Sequence, residues 1–176
     1  MIINSKSAEE KALIDAAHAM CAAARTAPKA RGIDKLDTAI VTGEDKDRLA
    51  AEMRRLAEVN PEIKIYTRDA ANVDNSALVV LFGARKDTYG IGKGCGLCQF
   101  EDCAENKKAD GLCIFPILDL GIAIGSAVST AMDFKVDSRV MFSVGKAAAS
   151  LKILGDHAIV FGVPLSVTGK SPFFDR

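Results

Sequence analysis

The chain has no tryptophan, only two histidines and two tyrosines, and no excess charge of either sign, since 23 basic and 23 acidic side chains balance. Each shortage removes a class of function. Without a positive field or basic-aromatic clusters, neither nucleic acid nor an anionic membrane surface is an expected partner. His18 sits three residues before Cys21 on a helical face and His157 opens an apolar run; both read as structural, and no Ser-His-acid arrangement can be inferred. Long hydrophobic runs are also missing. The longest uncharged helical stretch, Leu120 to Met132, is thirteen residues, which is too short to span a bilayer. The opening MIINSKSAEEK has no apolar core behind its lysine, so no signal peptide is expected and the expected address is cytoplasmic.

What the chain does have is cysteine in one place. Four of its five cysteines, Cys95, Cys98, Cys103 and Cys113, fall within GCGLCQFEDCAENKKADGLC, separated by two, four and nine residues. In a reducing compartment such clustering points to metal rather than disulfides. Two residues between Cys95 and Cys98 let a tight turn aim both sulfurs at one centre, and Gly96 relaxes that turn. A simple redox dithiol needs only the pair, so the two further thiols favour a bound centre over unliganded cysteines. Structural zinc usually takes two short pairs far apart. Here three thiols are bunched and one trails, which is closer to an iron-sulfur loop, with zinc as the alternative. Gly90, Gly92, Gly94 and Gly96 are not a phosphate loop, because no GK[ST] follows; they let backbone amides approach cluster sulfurs. Cys21, far away on a helix face, reads as core.

Around this loop the periodicity alternates between helix and strand. Helices are expected from Ser7, as cap, to Arg25, from Asp45 to Glu58, over LDLGIAIGSAVSTAM and from Ser138 to Leu154; strands are expected over Asp37–Thr42, Ile63–Tyr66, Ser76–Gly83 and His157–Val163. Gly121 and Gly125 suggest tight packing of a helix buried all round, a subunit interface included. Asp119 and Asp133 flank that helix and read as terminal charges. The pattern predicts one layered α/β or α+β domain over residues 1–176, with the cysteine-rich segment 90–115 as an insertion.

Longer stretches carry resemblances. CGLCQFEDC, with a more distant last cysteine, resembles the small four-iron domain of corrinoid iron-sulfur proteins, which implies a 4Fe-4S cluster. AAARTAPKARGIDKLDTAIVTGEDKDRLAAEM, SALVVLFGAR, DLGIAIGSAVSTAM and HAIVFGVPL are similar to successive segments of the nitroreductase-like flavoproteins. With the ending GKSPFFDR, the whole chain looks like a member of an uncharacterised prokaryotic family containing a ferredoxin domain. The resemblance implies a three-layer domain, a homodimer, and FMN near the subunit interface beside Arg25, Lys29, Arg31 and Gly32, with Lys170 near its phosphate. MIINSKS stands where such flavoproteins carry arginine-serine-arginine. The implied function is an iron-sulfur oxidoreductase or electron-transfer protein with a redox partner. The alternative is a non-catalytic protein whose structural zinc presents an interaction surface.

Overall fold

A computed structural model describes residues 1–174; Asp175 and Arg176, the end of GKSPFFDR, lie outside the described residues. The chain runs α1 (Ser5–Thr26), a 3-10 turn (Ala30–Gly32), β1 (Leu36–Val41), α2 (Gly43–Val59), α3 (Ile65–Asp74), β2 (Leu78–Arg85), α4 (Cys103–Lys108), α5 (Ile114–Asp133), β3 (Asp137–Ser138), α6 (Phe142–Ser150) and β4 (His157–Ser166). The strands form one antiparallel sheet in the order β1-β2-β4-β3.

Because side chains alternate across a strand, β2 serves two cores at once. Leu78, Val80, Phe82 and Ala84 face α1 and α5, meeting Leu13, Ala17, Met20, Leu120 and Ala127. Val79 and Leu81 face the opposite layer, with Leu49 and Met53 of α2, Val73 of α3 and Val144 and Ala147 of α6. The result is the expected three-layer arrangement. Glycine sets the closest approach in it. A Cβ on Gly145 would lie 1.7 Å from the Val160 carbonyl oxygen, and one on Gly162 would lie 2.1 Å from Val144 Cγ1, so α6 rests directly on β4.

Several local expectations are corrected. Asn4, not Ser7, caps α1: its Oδ1 accepts the Ser7 amide at 2.9 Å. The strand expected over Ile63–Tyr66 is a turn leading into α3, where Tyr66, Ala70 and Val73 recur at helical spacing and are buried. The helix expected from Ser138 is shortened, because Asp137 and Ser138 pair with β4 and Met141 exchanges both backbone hydrogen bonds with Gly162. In contrast, α5 is longer than its uncharged stretch. Pro116 falls in its first turn, where a missing amide donor costs nothing, so the helix reaches back to Ile114. At 20 residues and mean hydropathy 1.7 it has the length and composition of a membrane span, but it packs on α1 and the sheet and buries Asp119. Nor is it buried all round. Leu118, Ile122 and Met132 are 50%, 48% and 69% exposed, and added Cβ atoms on Gly121 and Gly125 would meet nothing within 4 Å. Tight packing within the protomer is therefore not their role.

Candidate functional site

Between β2 and α5 the chain makes a long excursion whose two ends are clasped by charge. Lys86 pairs with Asp110 at 2.6 Å and Lys107 with Asp87 at 3.3 Å, while Lys35 reaches Asp87 from the body of the protein. The Lys35 ammonium beside Asp87 holds its carboxyl down, from an ordinary 3.8 to about 2. Within the excursion, Gly90, Gly92, Gly94 and Gly96 all have positive φ, between 60° and 88°, a region that side chains disfavour. They fold the chain back so that Gln99 donates to the Gly96 carbonyl at 2.9 Å, closing the turn that contains Cys98. Asn106, buried in α4, braces the return by donating to the Leu112 carbonyl at 3.1 Å.

These turns bring the four thiols to one place. Cys95, Cys98, Cys103 and Cys113 all line a single pocket, walled by Tyr89, Ile91, Phe100, Ile114 and Phe115. Cys113 is the N-cap of α5 and Cys103 opens α4. Among the described residues no three Cys, His, Asp or Glu side chains converge closely enough to hold a single metal ion. All five cysteines are unpaired, and Cys21 lies away from the pocket on α1, its thiol pushed up by burial.

The basic turn lies against the same region from the other side. Lys29 is occupied: its Nζ donates to the carbonyls of Ala24, Arg25 and Ala27 at 2.6, 2.7 and 2.9 Å, capping the C-terminus of α1. Arg25 ties α1 to β1 through Asp34 at 2.5 Å and the Leu36 carbonyl at 3.1 Å. Arg31 is exposed, has φ 56°, and gives one donor to the Tyr89 carbonyl at 2.6 Å, leaving the rest of its fork toward solvent. Gly32 follows with φ 66°. Lys170 is exposed beyond the far end of β4. Since Leu36 is level with Ile159 across the sheet, the eight positions from Ile159 to Ser166 put on the order of 20 Å between Lys170 and this turn. One protomer does not bring them together.

The residue that sequence reasoning misplaced is Asp119. It is no terminal charge: it is 3% exposed inside α5, accepting the Ala30 amide at 3.1 and 3.2 Å and the Tyr89 phenol at 2.5 Å. Burial, reinforced by the Asp119 carboxylate, pushes the Tyr89 phenol far above its ordinary range, so the phenol is the donor. The signal for this was slight, an acidic residue one position before Leu120 in a helix whose other charge is its last residue, Asp133. His157 places Nε2 2.8 Å from Asp37, whose carboxyl is held down chiefly by Arg85.

The sheet order and the two helical layers define the nitroreductase fold. A nitroreductase family protein from Clostridium novyi NT matches with a TM-score of 0.60 at 19% identity, over 99% of this chain and 79% of that one. A putative nitroreductase in complex with FMN, from Desulfovibrio desulfuricans, matches at 0.58 and 13% identity, over 92% and 78%. NfrA1 of B. megaterium matches at 0.52 and 14% identity over 89% of this chain, which spans 60% of the length of that protein. In sequence, an uncharacterized protein of Archaeoglobus fulgidus is 41% identical over 100% of this chain and 98% of its own length. The profile of the family described as "Uncharacterized protein containing a ferredoxin domain" matches residues 109–176, a span that includes Cys113, α5 and β4. The chain belongs to that family.

Proposed function

We propose that this protein is an oxidoreductase or electron-transfer protein in which Cys95, Cys98, Cys103 and Cys113 hold an iron-sulfur cluster, of the 4Fe-4S type, beside a site for FMN. The observation that carries the reading is the convergence of all four thiols on one pocket. Three bunched thiols with one trailing favour a cluster over tetrahedral zinc, which usually takes two short pairs far apart. The apolar walls would limit water at the sulfurs, and the positive-φ glycines let amides turn inward; both tune the potential of a cluster. The cofactors would supply the electron chemistry, while the protein supplies position and field. The ferredoxin-domain family and the FMN complex of one fold neighbour support this pairing.

On this reading the functional unit is a homodimer. The outward side of α5 carries Leu118, Ile122 and Met132 with Gly121 and Gly125 between them, an apolar and partly bare stripe that a second copy would cover. A second copy would also be needed for any flavin site that combines Arg31 and Gly32 with the distant Lys170. Ile91, Leu97 and Leu112, exposed around the cysteine pocket, would meet a redox partner protein. Unpaired thiols suit a reducing cytoplasm.

The experiment is anaerobic purification followed by a visible spectrum and a count of iron, sulfide, zinc and flavin per chain. Iron with sulfide and flavin is the expected result. A colourless protein with stoichiometric zinc overturns the electron-transfer reading in favour of a structural metal. Cys98→Ala is expected to lower the iron content, and unchanged iron would refute the ligand assignment. Sedimentation of Ile122→Glu as a monomer, with the parent a dimer, checks the α5 face.

A further inference from the structure

Asp119 is costly where it stands. It is a buried carboxylate with no ion pair among the described residues, and a well-packed apolar side chain would be the more stable choice. Its worth lies in what it holds. One oxygen pair receives the Ala30 amide, at the head of the basic turn, and Oδ2 receives the Tyr89 phenol. The ring of Tyr89 is a wall of the cysteine pocket and stands edge-on to Phe115, another wall, at 5.9 Å between centroids. The carbonyl of Tyr89 takes the Arg31 guanidinium at 2.6 Å, and Arg31 also lies 4.0 Å from where a Cβ on Gly90 would be. The three contacts close a ring through residues 30–31, 89 and 119.

That ring spans the two candidate sites. Asp119 is six residues along α5 from Cys113, about 9 Å on a rigid helix. Tyr89 is joined to Cys95 by a segment in which Gly90, Gly92 and Gly94 all have positive φ, so a run of glycine turns sets the path from the phenol to the first thiol. On the other side, Arg31 and Gly32 are successive left-handed residues, a conformation a side chain keeps only when its surroundings hold it. Beside the turn's own bonds, from the Gly32 amide to the Lys29 carbonyl and from the Ile33 amide to the Ala30 carbonyl, Arg31 is held by the Tyr89 carbonyl and Ala30 by Asp119, and the Tyr89 hydroxyl lies 2.9 Å from the Ile33 carbonyl. We propose that Asp119 and Tyr89 are positioning residues that join the cysteine pocket to the Ala30–Gly32 turn, so that filling the pocket organises the turn for the phosphate or ring of FMN. The inference rests on the cluster-and-flavin reading above.

The test uses the full chain, apo and reconstituted with iron and sulfide without oxygen, and reads FMN affinity by fluorescence quenching together with hydrogen exchange of the Ala30 amide. Loading is expected to tighten FMN about tenfold, within the usual range of coupled sites, and to slow exchange at Ala30. Tyr89→Phe should keep the cluster spectrum and lose both gains. Asp119→Ala should lose the Ala30 protection, and Asp119→Asn, which keeps an acceptor for that amide, should restore most of it. Equal FMN affinity and equal Ala30 exchange with and without the cluster overturn the proposal. If FMN binds in neither state but Ala30 still responds to loading, the flavin reading falls and the joint stands. If only zinc loads, the cluster reading falls and the same Ala30 comparison with zinc decides the joint. A chain that holds neither iron-sulfide nor zinc overturns the cysteine site and this inference with it.

Discussion

Gly145→Ala offers the sharpest test of the packing that supports the site. The new methyl would sit 1.7 Å from the Val160 carbonyl oxygen and 2.4 Å from its carbon, whereas carbon-oxygen contacts normally begin at about 3.3 Å. The atoms in the way are backbone, so no rotamer change relieves them, and α6 would have to lift from β4 by roughly 1.5 Å. Overpacking of this kind costs about 3 kcal/mol, at the upper end of its usual range, and alanine returns about 1 kcal/mol of helix propensity. The net loss is about 2 kcal/mol, which at a urea slope of about 2 kcal/mol per M lowers the unfolding midpoint by about 1 M. Gly162→Ala makes a useful companion, because its clash is with the Val144 side chain at 2.1 Å. Val144→Ala should therefore rescue part of the Gly162→Ala loss and none of the Gly145→Ala loss. A Gly145→Ala midpoint equal to or above the parent's would refute the close seating of α6 on β4.

Other consequences follow from charge and from the chain end. Asp87 has its carboxyl held down to about 2 from 3.8, so the stability it lends the clasp is complete above about pH 4 and is lost as pH falls through 2. The stability difference between the parent and Asp87→Asn, followed by urea titration at several pH values, should shrink over that window; a difference constant from pH 5 to pH 2 would count against the clasp. Phe173, only three residues before the end, is 2% exposed in the core beneath α2 and α6, and Arg139 donates to its carbonyl at 2.6 Å. Phe173→Ala is expected to cost about 3 to 5 kcal/mol by urea denaturation; a loss below 1 kcal/mol, on that same scale, would mean the tail is not part of the core.

Much of the fold was legible because burial writes a period into the chain. The apolar run Ser76–Gly83 has strand length and a composition consistent with cover on both faces, and Leu13, Ala17 and Met20 recur at helical spacing, as β2 and α1 show. Short segments misled for an equally physical reason. Ile63–Tyr66 is β-branched and aromatic enough to look extended, but Tyr66, Ala70 and Val73 recur as buried residues of one helix and Tyr66 meets Phe142 edge-on, which four residues cannot reveal. Ser138 looked helical because the strand pairing that claims it is with Leu165, far along the chain. At the site, the four cysteines were readable because ligand chemistry demands thiols at short spacing. Asp119 was not, since a carboxylate's value depends on Ala30 and Tyr89, which only the folded chain brings beside it.

The clasp at Lys86, Asp87, Lys107 and Asp110 has an implication for how such a protein could arise and be re-engineered. Because the excursion leaves and re-enters the body at neighbouring points, its removal would leave β2 and α5 close enough for a short turn to connect them. The cysteine segment is thus built much as a graft, with three of its thiols inside the clasp and the fourth, Cys113, on the host helix α5. Tyr89 lies within the clasped segment and would travel with it, but Cys113 and Asp119 belong to the start of α5, so the host's helix would have to supply both.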